Sequence, residues 1–81
     1  MEILGRPAEN TGMVWFFERR GAYVRVETRS VPDGFELAID HPDGTQIVER
    51  FADSREMATR QRTLEHAFSE DGWKGPFGRF F

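Results

Sequence analysis

The stretch MVWFFERRGAYVRVETRSV, residues 13–31, decides the fold, because it consists of two β-rich runs placed on either side of Arg20-Gly21. Glycine supplies the positive φ that a two-residue hairpin turn requires, so the pair reads as the loop between two antiparallel strands. Arg19 then lies opposite Ala22, Phe17 opposite Val24 and Trp15 opposite Val26. Directly opposed residues share a face. Trp15, Phe17, Val24 and Val26 therefore form an apolar side, and Phe16, Glu18, Tyr23 and Arg25 form the other.

Working outward, Val31-Pro32-Asp33-Gly34 reads as the next turn: proline presets φ, aspartate bonds back to the backbone, and glycine takes a left-handed position. With these four residues as the loop, Ser30 faces Phe35, Thr28 faces Leu37 and Val26 faces Ile39, which extends the apolar side. The same register pairs Arg29 with Glu36 and Arg25 with Asp40 on the opposite face, and a slip of one residue destroys both patterns. His41-Pro42-Asp43-Gly44 repeats the turn chemistry before a fourth strand, Thr45 to Phe51. A three-residue loop sets Ile39 against Ile47, Phe35 against Phe51 and Glu36 against Arg50. It also turns Glu49 inward beside Leu37, so Glu49 is expected near the sheet edge or paired with a helix arginine. A four-residue loop opposes Glu36 to Glu49 and Phe35 to Arg50 and is the poorer choice.

Asp53 is placed to cap a helix from Ser54 to about Glu70, with Glu56 at the third helical position and an acidic first turn that suits the helix dipole. Met57, Leu64 and Phe68 form its narrow apolar stripe. Gly72 ends the helix in a left-handed conformation, and Trp73 is expected to fold back on Phe68. The fold class is thus α+β: a four-stranded antiparallel β-meander followed by one C-terminal helix on one sheet face, in the order β-β-β-β-α. One helix cannot cover four strands, so a terminal segment or a second protomer is expected to shield the rest.

The chain is read as one domain, residues 1–81, with residues 1–11 and 74–81 as terminal arms, flexible or packed. No cysteine is present, which excludes disulfides and Cys-based metal sites and points weakly to a reducing compartment. Residues 1–12 carry neither a signal-peptide nor a membrane-span pattern, and a cytoplasmic location is the default expectation. A net charge of −3 argues against a generic polyanion binder, although ten of the eleven cations are arginine.

Chemistry is sparse in this chain. Asp40, His41 and Asp43 resemble a metal cluster until Asp40 is assigned to Arg25 and Asp43 to its turn. His66 and Glu70 form an i,i+4 pair on a helix surface, and no serine has a histidine at motif spacing. No catalytic role, metal or cofactor is expected.

Two surfaces remain as candidates for interaction. One is the sheet face away from the helix, carrying Phe16, Tyr23, Arg25 and Arg29. The other is the aromatic C-terminal tail, with Trp73, Phe77, Phe80 and Phe81, which is too apolar to stay free in water and is expected to pack back on its own domain, or else to serve a dimer contact or a partner groove. The β-β-β-β-α order resembles, in topology alone, the repeat unit of the whirly and Pur-type single-strand-binding proteins. Independently of that resemblance, aromatics on a sheet can stack unpaired bases while arginines hold phosphates. Glu18, Glu27, Glu36 and Asp40 share the face and oppose that reading by neutralising the arginines. The expected function is therefore a non-catalytic module that binds a protein partner or itself as a homodimer, with single-stranded nucleic acid as the alternative and no membrane partner.

Overall fold

The computed structural model describes residues 12–80. Five strands and one helix follow one another along the chain: β1 (Met13–Arg19), β2 (Ala22–Val31), β3 (Gly34–Asp40), β4 (Gln46–Phe51), α1 (Ser54–Glu70) and β5 (Lys74–Phe80). All five strands form one antiparallel sheet in the order β4-β3-β2-β1-β5. The α+β class stands, and the expected four-stranded meander is corrected to five strands. The segment read as a C-terminal arm becomes β5 on the outer edge of β1, pairing Lys74 with Glu18, Phe77 with Phe16 and Phe80 with Val14. The N-terminal arm, residues 1–11, lies outside the described residues, as does Phe81.

The meander forms because each connection has the residues its turn needs. Arg20 and Gly21 take φ of 54° and 81°, the left-handed pair that matches a two-residue hairpin to the strand twist. The β1–β2 register is the expected one, with Trp15 on Val26 and Phe17 on Val24. Between β2 and β3 the loop tightens to Pro32-Asp33, because Val31 and Gly34 also pair, while the expected register is kept. The β3–β4 register is that of the shorter loop, with Phe35 on Phe51 and Ile39 on Ile47. There His41 N–H donates to the Thr45 carbonyl at 2.8 Å, and Thr45 N–H donates to Asp43 Oδ1 at 2.9 Å.

Trp15, Phe17, Val24, Val26, Leu37 and Ile39 build the core on one face, with Met57, Leu64, Phe68 and Trp73 packed against it. Burying each large apolar side chain contributes about 1.5–3 kcal/mol. Asp53 Oδ1 accepts the Glu56 N–H at 2.8 Å and starts α1 beside the end of β4. Arg60 grips Glu49 of β4 with two bonds, Nε to Oε1 at 2.8 Å and Nη2 to Oε2 at 3.0 Å, which resolves the inward-facing carboxylate. At the far end Phe68 stacks on Phe17 with ring centroids 4.8 Å apart. The helix therefore crosses the sheet obliquely and leaves Ile47, at the other end of β4, 43% exposed.

The helix ends in a Schellman motif. Trp73 N–H donates to the Phe68 carbonyl at 2.9 Å and Gly72 N–H to that of Ser69 at 3.1 Å, with Gly72 at a φ of 89°. The Trp73 ring meets Phe68 edge-on at 5.9 Å, the expected apolar contact of such an ending. This turn also aims the chain back along β1, and so leads directly into β5.

Candidate functional site on the open sheet face

Alternation sends every second residue to the face opposite the helix, and the registers then decide which of them meet. Phe16 lies beside Arg25 and Phe77, Arg25 beside Asp40, and Asp40 beside Gln46. Four residues along β2, Arg29 lies beside Glu36 and Glu36 beside Arg50. Of the candidate residues, Phe16, Tyr23, Arg25, Arg29 and Phe77 thus share this face. Trp73 does not, since it packs against the core on the helix side. Phe80 is placed by its backbone pairing with Val14.

The arginines of the face are engaged. Arg25 Nη1 lies 3.2 Å from both Glu27 Oε1 and Asp40 Oδ2. Arg29 Nε reaches Glu36 Oε1 at 2.9 Å, and Arg50 Nε reaches Glu36 Oε2 at the same distance. Arg29 also approaches Glu27 at 3.6 Å, and Gln46 Nε2 donates to Asp40 Oδ1 at 2.7 Å. Three guanidinium groups, those of Arg25, Arg29 and Arg50, are thereby matched by three carboxylates, Glu27, Glu36 and Asp40. Glu36 is only 7% exposed, and its two arginines compensate for burying its charge.

Beyond this ionic stripe, toward the β5 edge, the face changes character. Phe16, Glu18, Tyr23, Phe77 and Gly78 line an open depression of about 810 Å³, almost wholly apolar. Tyr23 is 58% exposed and Phe77 50%, a high exposure for two neighbouring rings. Among the described residues Glu18 is its one charged lining residue, held by the hairpin: its Oε2 accepts the Gly21 N–H at 2.9 Å. Glu18 and Tyr23 were both placed on this face by alternation. Gly78 gave no signal, since its position depends on β5.

A second depression, on the other side of Glu18, is lined by Arg19, Arg20, Asp71, Gly72 and Lys74 as well. Here Arg19 Nη1 donates to the Asp71 carbonyl at 2.8 Å and to its Oδ2 at 2.9 Å. The same guanidinium stands 5.5 Å from the Trp73 ring centroid, and Trp73 Nε1 donates to Asp71 Oδ2 at 3.2 Å.

Several titratable groups elsewhere have structural partners. His66 Nε2 lies 3.3 Å from Glu70 Oε2 on the exposed helix surface. Hydrogen bonds from Thr45 hold the Asp43 carboxyl below its ordinary range, and the bond from Arg60 does the same for Glu49. The bond to Glu49 raises the Arg60 guanidinium in turn. Among the described residues, no group of three or more His, Cys, Asp or Glu side chains is placed to hold a metal ion, and no helix is long and apolar enough to cross a membrane.

The fold and face define a small α+β sheet-and-helix domain with one covered and one open sheet face. Comparison of the chain with protein-family models, with curated protein sequences and with solved structures finds no match.

Proposed function

We propose that the chain is a non-catalytic protein-interaction module whose contact surface is the aromatic depression on the open sheet face. One observation carries this reading: Tyr23 and Phe77, from strands on opposite sides of β1, present half-exposed rings around a common apolar floor at Phe16. Exposed aromatics of this kind are the side chains that anchor protein interfaces. The single-strand alternative has the aromatic platform, but the three described arginines of the ionic stripe, Arg25, Arg29 and Arg50, are matched by Glu27, Glu36 and Asp40. Binding to phosphates draws on uncompensated positive charge.

The test compares the wild-type chain with the double variant Tyr23→Ser/Phe77→Ser, both shown to be folded by near-ultraviolet circular dichroism. Immobilised wild type is expected to retain partners, or a second copy of itself, that the variant loses. Retention of the same proteins by both excludes the depression as the contact surface. Anisotropy of a labelled single-stranded oligonucleotide, titrated at several salt concentrations, decides the alternative. Tight binding that weakens steeply with salt and disappears in Arg25→Ala would replace the protein reading with the nucleic-acid one.

A further inference from the structure

We infer that the depression receives the cationic head of an arginine or lysine side chain from a basic segment of the partner, an inference that rests on the protein-interaction reading and gives the partner its chemistry. The lining supplies what an organic cation needs. Phe16, Tyr23 and Phe77 offer aromatic rings, whose faces are electron-rich, and Glu18 adds a full negative charge at the rim. A neutral apolar group gains most from an enclosed site, whereas Tyr23 and Phe77 remain half in water. A cation suits this half-open geometry, because it keeps part of its hydration while touching the rings.

Among the described side chains, the neighbouring positive charges of Arg25 and Lys74 are disposed so as not to compete. Arg25, beside Phe16 in the register, is held 3.2 Å from both Glu27 and Asp40. Lys74 pairs with Glu18 in the β1–β5 register, yet it lines the adjacent depression with Arg19 and Arg20 rather than the aromatic one. Glu18 is held through Oε2 by the Gly21 N–H, and it lines both depressions.

The chain already contains an internal copy of the proposed contact. On the far side of Glu18, the Arg19 guanidinium sits 5.5 Å from the Trp73 ring centroid and 2.9 Å from the Asp71 carboxylate. Ring, carboxylate and guanidinium meet there within one molecule. In the aromatic depression rings and a carboxylate are present, and a partner's guanidinium would be the third member. The net charge of −3 further favours encounter with a basic partner.

The experiment titrates the full chain into three fluorescein-labelled tetrapeptides: tetra-arginine, its neutral isostere tetra-citrulline, and tetra-glutamate. Tetra-arginine is expected to bind at least about ten-fold more tightly than the other two, ten-fold being the affinity ratio that a single well-placed interaction supplies. Tyr23→Leu, which keeps an apolar side chain but removes the ring, is expected to weaken tetra-arginine by about two- to five-fold. Glu18→Gln is expected to weaken it more than Glu70→Gln, which removes the same charge from the distant helix surface. Equal affinity for the arginine and citrulline peptides overturns the inference, as does equal loss in Glu18→Gln and Glu70→Gln. The protein-interaction reading survives either result if Tyr23→Ser/Phe77→Ser still loses its partners, so the two failures are distinguishable.

Discussion

Gly34 is fixed by its neighbour across the sheet. A methyl added to its Cα would overlap the Phe51 carbonyl oxygen, at a φ of 153° that side chains rarely adopt. Because the obstructing atom is backbone in the β3–β4 ladder, relief requires the strands to part. Gly34→Ala should therefore cost about 2–3 kcal/mol, at the upper end of overpacking effects, and lower the urea midpoint accordingly. A midpoint unchanged from wild type would show that the strands yield at this position. Glu49 poses a different problem, since it is a carboxylate on the core-side face that the helix must neutralise. Its bond from Arg60 lowers its carboxyl below the ordinary value of 4.5. A depressed folded-state value means that the stabilisation is complete above the unfolded value and is lost as pH falls through the lowered one. Arg60 is 39% exposed and water screens the pair, so Glu49→Gln should cost only about 0.5–1 kcal/mol at pH 7. The clearer sign is a shallower loss of stability between pH 5 and the acid limit, read as urea midpoints of wild type and variant at each pH, with the difference closing as the wild-type carboxylate protonates. Parallel curves would mean that the pair contributes nothing specific.

At the level of elements, the hairpins were legible because alternation and turn chemistry agreed independently. Pairing Trp15 with Val26 also required Phe16 beside Arg25, and the structure has both. The helix ends were legible for the same reason: Asp53 and Gly72 carry local signals that need no tertiary information. The one compromise in the first hairpin is Arg20, a non-glycine residue at a φ of 54°. Asparagine tolerates that conformation better, so Arg20→Asn should stabilise the domain by about 0.4–1 kcal/mol, visible as a higher melting temperature. An unchanged or lower melting temperature would show that Arg20 contributes through its side chain in the adjacent depression what it loses in its backbone. β5 was not legible. Its sequence, Lys-Gly-Pro-Phe-Gly-Arg-Phe, has glycine and proline where a strand interior normally has β-branched residues, and it reads as an arm. It forms because the Schellman turn at Gly72 delivers it to the open edge of β1, where an edge position tolerates Pro76 and two register shifts absorb the glycines. A hypothetical methyl on Gly75 would stand 2.7 Å from the Phe16 carbonyl, so this edge pairing itself depends on a residue that sequence patterns count against a strand.

For the molecule as a whole, the candidate site was half legible for the same reason. Phe16 and Tyr23 follow from the first hairpin alone, whereas Phe77 joins them only through β5, and Trp73 leaves the group because the helix ending turns it toward the core. The ionic stripe followed from the registers, and it makes the whole face a test of what charge is for. If Glu27 and Asp40 serve to neutralise Arg25, then Glu27→Gln/Asp40→Asn should free that guanidinium and leave Arg29 only its bond to Glu36. Those carboxylates are 26% and 34% exposed, so amides of the same shape should be tolerated with the sheet intact. The double variant then sets uncompensated arginine beside the rings of Phe16 and Tyr23, the combination that holds unpaired bases and their phosphates. It should gain affinity for a labelled single-stranded oligonucleotide that the wild type lacks, falling with salt at a logarithmic slope of about −0.7 for each phosphate contact. Gain of binding in the variant alone would identify the carboxylates as the element that keeps this face from polyanions. Equal, salt-sensitive binding by both chains would instead mean that the ion pairs open readily for phosphate, and the single-strand reading would take precedence.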